Sequence, residues 1–306
     1  MKGAFAVFLL ALTVLVDDGQ SPVQLRLHGG PAASGLVSQG LLAALPADAS
    51  GFQAVPPPGL RSVRNDAQAT VAPWVDSNGW RFQRGLTRAN YEKLPAGASL
   101  LAAAEAFTFA VDAIVNPDAA DLEELGRLLA FLKTNSRPAL PVIANVGVVD
   151  DGSPEMGEVL NMLTRRNLLY RVVPKGDRSL GVTVEVGAPA FPREALTNPS
   201  DFAARVREAL GDDRRSVRVY GTSTVIAHLT GDDTRARLHL VSYSRNRSQT
   251  SIRVRVLGRY RPASVAAFGA PDGTALDDVR QAEDAATEFS VPAFNTIAIV
   301  DLERVK

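Results

Sequence analysis

Two alternating segments near the end of the chain decide the fold: Arg-Ala-Arg-Leu-His-Leu-Val-Ser-Tyr-Ser at 235–244 and Ser-Ile-Arg-Val-Arg-Val-Leu-Gly at 251–258. In both, apolar and polar side chains alternate with the period of two that is typical of a strand with one buried face and one solvated face. Further short apolar runs between 216 and 301 are separated by turn sequences such as Pro271-Asp-Gly. Residues 213–306 are therefore predicted to form an antiparallel β-sandwich.

Before that tail, over residues 65–212, the pattern changes to helices that alternate with strands. Leucines spaced three and four apart within 122–132 predict an amphipathic helix, and Pro199–Leu210 predicts another, with Asn198 as its N-cap. Pro141–Val149 is a continuous apolar run, which is typical of a buried parallel strand. The order indicates an α/β layer domain with a mostly parallel sheet, followed by the antiparallel sandwich.

The chain before residue 65 is predicted to be leader and loop. Residues 21–64 are rich in Gly, Ala, Pro and Ser, which predicts a loop-rich segment. Lys2 precedes an apolar run at 4–16, which has the length of a signal-peptide core and is too short to span a bilayer comfortably. Residues 1–20 are therefore expected to be a signal peptide, and the protein to be secreted or periplasmic, without a stable membrane span. The alternative is a buried first strand or helix.

The composition excludes several classes of function. The 33 basic and 33 acidic residues cancel, so no global field attracts nucleic acid. The absence of cysteine excludes disulfides, thiolate nucleophiles and cysteine-ligated metals. The three histidines, His28, His228 and His239, are predicted to lie on elements too different to form a metal triad, and His239 is expected to make a structural contact. No phosphate-binding loop or hydrolase elbow occurs, and neither a metal site nor a cofactor is expected.

The loop after the apolar run at 141–149 contains the best candidates for catalysis. Asp150, Asp151 and Glu155 lie beyond the end of a predicted strand, where ligands of α/β sheets bind. Paired carboxylates, one protonated and one ionised, are what the cleavage of a glycosidic bond needs. The alternative is that this acidic turn only caps the helix that follows.

A second loop, at 74–84, is predicted to bind substrate. It contains the only two tryptophans of the chain, Trp74 and Trp80, together with Asp76, Asn78 and Arg81. Indole rings pack on the C–H faces of sugars, and the polar side chains can hydrogen-bond hydroxyl groups. Packing of the tryptophans in the core is the alternative.

One acidic residue is placed unusually. Glu105 lies in the middle of a predicted apolar helix at 98–110, where it is expected to be partly exposed or paired with an arginine.

Several segments resemble a known family. The run Pro141-Val-Ile-Ala-Asn-Val-Gly-Val-Val-Asp-Asp-Gly-Ser-Pro-Glu155, the helix end Arg165-Arg-Asn167 and Tyr170-Arg-Val-Val173 resemble the glutamine-amidotransferase-like domain that follows the barrel in β-galactosidase-type glycoside hydrolases. The tail, with Leu238-His-Leu-Val-Ser-Tyr243 and Thr296-Ile-Ala-Ile-Val-Asp301, is similar to the β-sandwich that ends many such enzymes. In that family the amidotransferase-like domain serves assembly and site closure.

The resemblance implies a protein of carbohydrate metabolism whose catalytic part is reduced. Glutaminase activity is excluded because the cysteine nucleophile is missing. Too few residues precede Pro141 for the family's eight-stranded barrel of about 250 residues, so no catalytic residue of the family can be matched. We therefore expect an exported glycoside hydrolase-like protein, with reduced or no activity, whose partner is a carbohydrate or glycoside. The alternative is a non-catalytic module for glycan binding or for subunit assembly, including homo-oligomers.

Overall fold

The computed structural model describes residues 26–61, 74–244, 248–250 and 252–305. The predicted signal peptide at 1–20 lies outside the described residues. The run Gln68–Trp74 also has the sequence of a strand, and most of it lies outside the described residues. Within the described part of the chain, no helix is both long enough and apolar enough to cross a membrane.

The first part of the described chain is an α/β structure. Its six helices are α1 Ser34–Ser38, α2 Gly79–Gln83, α3 Ser99–Thr108, α4 Leu122–Thr134, α5 Pro154–Arg165 and α6 Pro199–Leu210. Its nine strands are β1 Leu27–Gly29, β2 Gln53–Ala54, β3 Gly59–Arg61, β4 Trp74–Asp76, β5 Arg88–Tyr91, β6 Asp112–Val115, β7 Val146–Val148, β8 Tyr170–Val172 and β9 Val182–Val184.

These strands form two small parallel sheets rather than a single layer. One sheet has the order β1-β6-β5-β2, the other has the order β8-β7-β9, and β3 and β4 form a separate antiparallel pair. Strand β1 belongs to the segment predicted to be loop-rich. It is only three residues long, so its sequence contains no readable alternation.

Side chains cap the starts of several helical segments, and Asn198 does so as predicted. The side chain of Ser153 accepts a hydrogen bond from the backbone N–H of Met156 at 3.2 Å, and Asn198 caps α6 in the same way. Asp118 caps the short 3₁₀ turn before α4. Asp121 instead accepts from the backbone N–H groups of Gly97 and Ser99, so it ties the start of α4 to the start of α3.

The tail is an antiparallel β-sandwich, as predicted. Its eight described strands are β10 Val217–Tyr220, β11 Val225–Gly231, β12 Arg235–Ser242, β13 Ile252–Leu257, β14 Tyr260–Ala267, β15 Asp277–Gln281, β16 Ala286–Val291 and β17 Ile297–Arg304. They form two sheets with the orders β10-β13-β16-β15 and β11-β12-β17-β14. The apolar side chains of both sheets meet in one core.

The expectation of a solvated face was wrong for β12. Every residue of β12 after Arg235 is buried. Leu238 and Leu240 face the sandwich core, while Val241 packs in the core that contains α3. The polar residues on the same face of β12 as Val241 are buried too, because the α/β part covers this face. Arg237 is paired there with Asp301 at 2.6 Å.

Candidate functional site

A cavity of about 320 Å³ opens beside the predicted substrate loop. All five residues predicted to bind substrate line this cavity, namely Trp74, Asp76, Asn78, Trp80 and Arg81. Pro56, Pro57, Arg61 and Ser77 complete one side, and Glu158 and Asn161 of α5 complete the other. We call it the tryptophan cavity.

Strand β4 and the short helix α2 position the loop. Arg61 of β3 lies opposite Trp74 in the antiparallel pair and holds both carboxylate oxygens of Asp76, with Nη2–Oδ1 at 2.6 Å. Helix α2 begins at Gly79, where an added Cβ would lie 2.5 Å from Cζ of Phe109. Only glycine therefore allows α2 to approach α3 this closely, and the approach brings Trp80 to the cavity wall.

Each tryptophan of the cavity is stacked with an arginine. The guanidinium carbon of Arg81 lies 4.2 Å from the ring centroid of Trp80, and that of Arg165 lies 3.6 Å from the ring centroid of Trp74. Nε1 of Trp74 and Oδ1 of Asn161 are buried without a hydrogen-bond partner in the described part of the protein. The wall thus combines aromatic surface with polar side chains.

The predicted catalytic carboxylates do not line this cavity. Asp150 forms a two-point ion pair with Arg84, whose Nε and Nη2 lie 2.6 and 2.8 Å from its oxygens. The carboxylate also accepts from the backbone N–H of Gly152 at 3.0 Å. Because Arg84 additionally donates to the carbonyl of Ser153, the pair fastens α2 to the turn before α5.

Asp151 and Glu155 have roles that the capping alternative describes better. Asp151 accepts a hydrogen bond from the backbone N–H of Ser153 at 2.9 Å, and hydrogen bonding by Ser153 lowers the pKa of its carboxyl group. Glu155 is exposed in the first turn of α5, where a negative charge favours the helix dipole. The geometry gives no support to catalysis by these three carboxylates at the tryptophan cavity.

The acids that do line the cavity are Asp76 and Glu158. Glu158 was not predicted, although it lies on the same helix as Glu155, three residues later. The signal was present in the spacing, since Glu158 and Asn161 are polar residues three apart on α5. Both face the cavity because Gly157, between them and the turn, allows Trp80 to pack against the helix.

Glu105 lies behind the loop and is fully buried, which corrects the expectation of an exposed or arginine-paired carboxylate. It accepts from Ser77 Oγ at 2.8 Å, from the backbone N–H of Asn78 at 2.9 Å, and from the Asn78 side chain. The hydroxyl groups of Tyr91 and Tyr243 also donate to it. Burial raises the pKa of Glu105, while the hydrogen bonds from Tyr243, Ser77 and Asn78 act against that rise.

Glu105 therefore positions two residues of the cavity wall without facing the cavity. Tyr243 belongs to the segment that follows β12, so the sandwich takes part in holding Ser77 and Asn78.

Solved structures provide the comparison. An α-L-fucosidase, isoenzyme 2 from Paenibacillus thiaminolyticus, aligns with a TM-score of 0.55 and 10% sequence identity, over 75% of this chain and 62% of the fucosidase. The chain has a glycoside hydrolase-like fold. The chain spans less than two thirds of the length of that fucosidase.

A GH42 beta-galactosidase from G. stearothermophilus also aligns, at 7% identity, over 82% of this chain and 53% of that one, with a TM-score of 0.39. No protein-family model matches the sequence, and no curated protein matches it.

Proposed function

We propose that this protein binds carbohydrate in the tryptophan cavity and does not hydrolyse it there. The observation that carries the proposal is that both tryptophans of the chain line one cavity, together with several polar side chains. Sugars present apolar C–H faces and polar hydroxyl edges, which such a wall complements. The glycoside hydrolase-like fold favours a carbohydrate over other polar ligands, and the cavity volume suits a short segment of glycan.

The arrangement of acids favours binding over hydrolysis. Glycosidic cleavage needs two carboxyl groups, one on each side of the bond, with one free to donate a proton. Arg61 occupies both oxygens of Asp76, which leaves Glu158 as the cavity's one acid without an arginine partner in the described part of the chain. Of the three carboxylates predicted to be catalytic, two hold the turn before α5 and the third is exposed in its first turn.

Export belongs to the proposal as well. It rests on Lys2 and the apolar run at 4–16, which lie outside the described residues. Expression of the full chain in a bacterial host, followed by fractionation and N-terminal sequencing of the product, tests it. A product that keeps Met1 and stays in the cytoplasm contradicts export.

Tryptophan fluorescence tests the binding directly. Because Trp74 and Trp80 are the chain's only tryptophans, a ligand in the cavity should change the emission of the unlabelled protein. After a glycan array has selected candidates, Trp80→Ala should weaken binding by about fivefold, since stacking on an aromatic ring contributes on the order of 1 kcal/mol. Calorimetry measures the affinity of this variant.

The matched control is Phe52→Ala, which truncates a partly buried aromatic ring elsewhere in the α/β part and should leave the affinity unchanged.

Two results contradict the proposal. One is that no glycan binds. The other is turnover of a chromogenic glycoside that Glu158→Gln abolishes, which would make the cavity an active site. Turnover that an Asp150→Ala/Asp151→Ala double variant abolishes would restore the acidic turn as the catalytic element.

A further inference from the structure

Three arginines surround the tryptophan cavity, and two of them have no acidic partner. Arg61 is neutralised by Asp76. Arg81 lines the cavity and Arg165 covers Trp74, and neither lies within 4.0 Å of a carboxylate in the described part of the chain. With Arg165 counted, three arginines thus lie beside the two acids of the cavity lining, so one positive charge is left without a counter-charge.

The donors of these two guanidinium groups are almost unused. Within the described residues, Arg81 makes one long contact, at 3.5 Å to Oδ1 of Asn78. Arg165 makes one contact to Sδ of Met162, also at 3.5 Å, and its Nε is buried without a partner. A guanidinium group carries five N–H donors, so most donors of these two groups have no protein acceptor within the described residues.

Both arginines are partly buried, and this makes the missing counter-charge costly. Removing a cation from water is unfavourable unless an anion or other polar partner compensates. The indole rings under both groups offset part of that cost through cation–π attraction, but they accept no hydrogen bond from the fork of N–H groups. Burial accordingly lowers the pKa of both arginines.

Glu158 fills this role only in part. Its charge acts against the lowering of the pKa of Arg81 and Arg165, but it forms no ion pair with either arginine within the described residues. Its side chain is exposed, and its contact in the described structure is with Nδ2 of Asn161 at 3.4 Å. At this position the carboxylate can accept a hydrogen bond from a sugar hydroxyl while the arginines remain unpaired.

We infer that the glycan bound in the tryptophan cavity carries a carboxylate, as a hexuronic acid residue does, and that Arg81 holds this group with Arg165 beside it. The inference rests on the proposed function. A carboxylate matches the two-point fork of a guanidinium group and would supply the missing counter-charge. A neutral sugar would leave the charge uncompensated, so acidic and neutral glycans should differ in affinity.

The test compares acidic oligosaccharides with their own neutral forms on the full chain. The probes are tetramers of galacturonate, glucuronate and mannuronate, each paired with the same tetramer after reduction of its carboxyl groups to alcohols. We expect at least one acidic tetramer to bind about tenfold or more tightly than its reduced form, because charge-assisted hydrogen bonds are among the stronger polar contacts. Added salt should weaken this preference.

Variants identify the residue responsible. Arg81→Gln should abolish the preference for the acidic form, and Arg81→Lys should restore part of it, because lysine keeps the charge and loses the planar fork. Arg304→Gln is the matched control, since Arg304 also lies over an aromatic ring, Tyr260, but on the sandwich. Arg165→Gln gives a second reading if Arg81→Gln alters the thermal stability.

The outcomes separate the two proposals. Equal binding of acidic and reduced tetramers, unchanged in Arg81→Gln, overturns the inference and leaves glycan binding intact. A preference for a sulfated tetramer over every uronate overturns the carboxylate assignment. If no acidic, reduced or sulfated tetramer binds and the glycan array is also silent, the proposed function fails together with the inference.

Discussion

Five hydrogen bonds from four residues converge on the carboxyl group of Glu105. They come from Ser77, Asn78, Tyr91 and Tyr243, and the group is fully buried. In a buried network, removing the acceptor leaves every donor unpaired. The desolvation cost of these unpaired donors exceeds the net contribution that the hydrogen bonds make to stability. The stability of the cavity wall should therefore depend on this residue.

We predict that Glu105→Ala lowers the free energy of unfolding by about 3 kcal/mol or more, because several buried donors lose their acceptor. Tyr243→Phe removes one donor and should cost about 1 kcal/mol. Glu105→Gln should lie between these values, since it keeps the shape but turns an N–H group toward other donors. Urea unfolding measures all three, and a loss below 1 kcal/mol for Glu105→Ala would show that the network is not a stabilising one.

The sequence allowed five side chains of the cavity to be predicted, including the acid Asp76, but not its second acid, Glu158. Trp74 and Trp80 were recognisable because they are the only tryptophans and flank one turn. The acidic turn at Asp150 and Asp151 was ambiguous, because the same residue types cap helices and catalyse reactions. The partner that decided the question, Arg84, lies 66 positions away from Asp150 in the chain.

At the scale of elements, the packing of α2 on α5 forms the cavity. The contact depends on Gly157, where an added Cβ would lie 3.0 Å from Cζ3 of Trp80 and 3.1 Å from Nη1 of Arg84. Gly126 of α4 is also a glycine inside a helix, but its nearest neighbour would be Cδ2 of Leu36 at 3.2 Å, the end of a flexible side chain.

Gly157→Ala should therefore displace Trp80, change the tryptophan emission and lower the free energy of unfolding by about 1 kcal/mol, since overpacking outweighs the gain in helix propensity. Gly126→Ala is the control and should be neutral or stabilising by up to about 1 kcal/mol. Fluorescence spectra and thermal melts of both variants provide the comparison. An unchanged emission in Gly157→Ala would mean that α5 does not fix the position of Trp80.

The elements themselves were predicted unevenly, for physical reasons. Helix α6 was predicted with its observed bounds, because a capping residue marks its start. Strand β13 lies within the segment predicted at 251–258, because its alternation is clear. Strand β15 was missed, since all five of its residues are exposed and no alternation of burial exists to be read. Strand β12 was found, but its polar face was assigned to solvent, and only the tertiary structure shows that α3 covers it.

At the scale of the whole molecule, two histidines lie where the α/β part meets the sandwich. His228 and His239 are direct partners across β11 and β12, which corrects the expectation that they lie apart. Their rings pack on Phe109 and Phe107 at the end of α3, with centroids 4.6 and 5.7 Å apart. Burial lowers the pKa of His228 to about 4 and that of His239 to about 3, and the neighbouring His228 and Arg237 contribute to the latter.

Acid should weaken this contact between the two parts. In the unfolded chain both histidines gain a proton near pH 6.5, whereas the folded protein resists protonation until about pH 4 and about pH 3. The contribution of the neutral histidines to the free energy of unfolding is therefore fully present above pH 6.5. It is lost as the pH falls from 6.5 toward these lower pKa values, by about 1.4 kcal/mol per pH unit for each histidine. The raised pKa of Glu105 acts in the opposite direction, so variants are needed to isolate the effect.

A His228→Gln/His239→Gln double variant should lose less stability than the parent protein between pH 6.5 and pH 4.5. Urea unfolding at a series of pH values measures the two slopes. Parallel curves for the double variant and the parent would show that the histidines do not carry the acid sensitivity, which would then belong to carboxylates such as Asp301 beside Arg237.

The covered face of β12 also affects whether the β-sandwich can be exchanged between proteins by recombination. A sandwich whose outer sheet faces water can be exchanged between proteins as a self-contained cassette. Here Val241, Tyr243 and Ile299 belong to the same core as α3. Recombination that moved this tail to another protein would expose these apolar side chains to water. It would also break the hydrogen bond from Tyr243 to Glu105. The α/β part and the sandwich should therefore be inherited together as one unit.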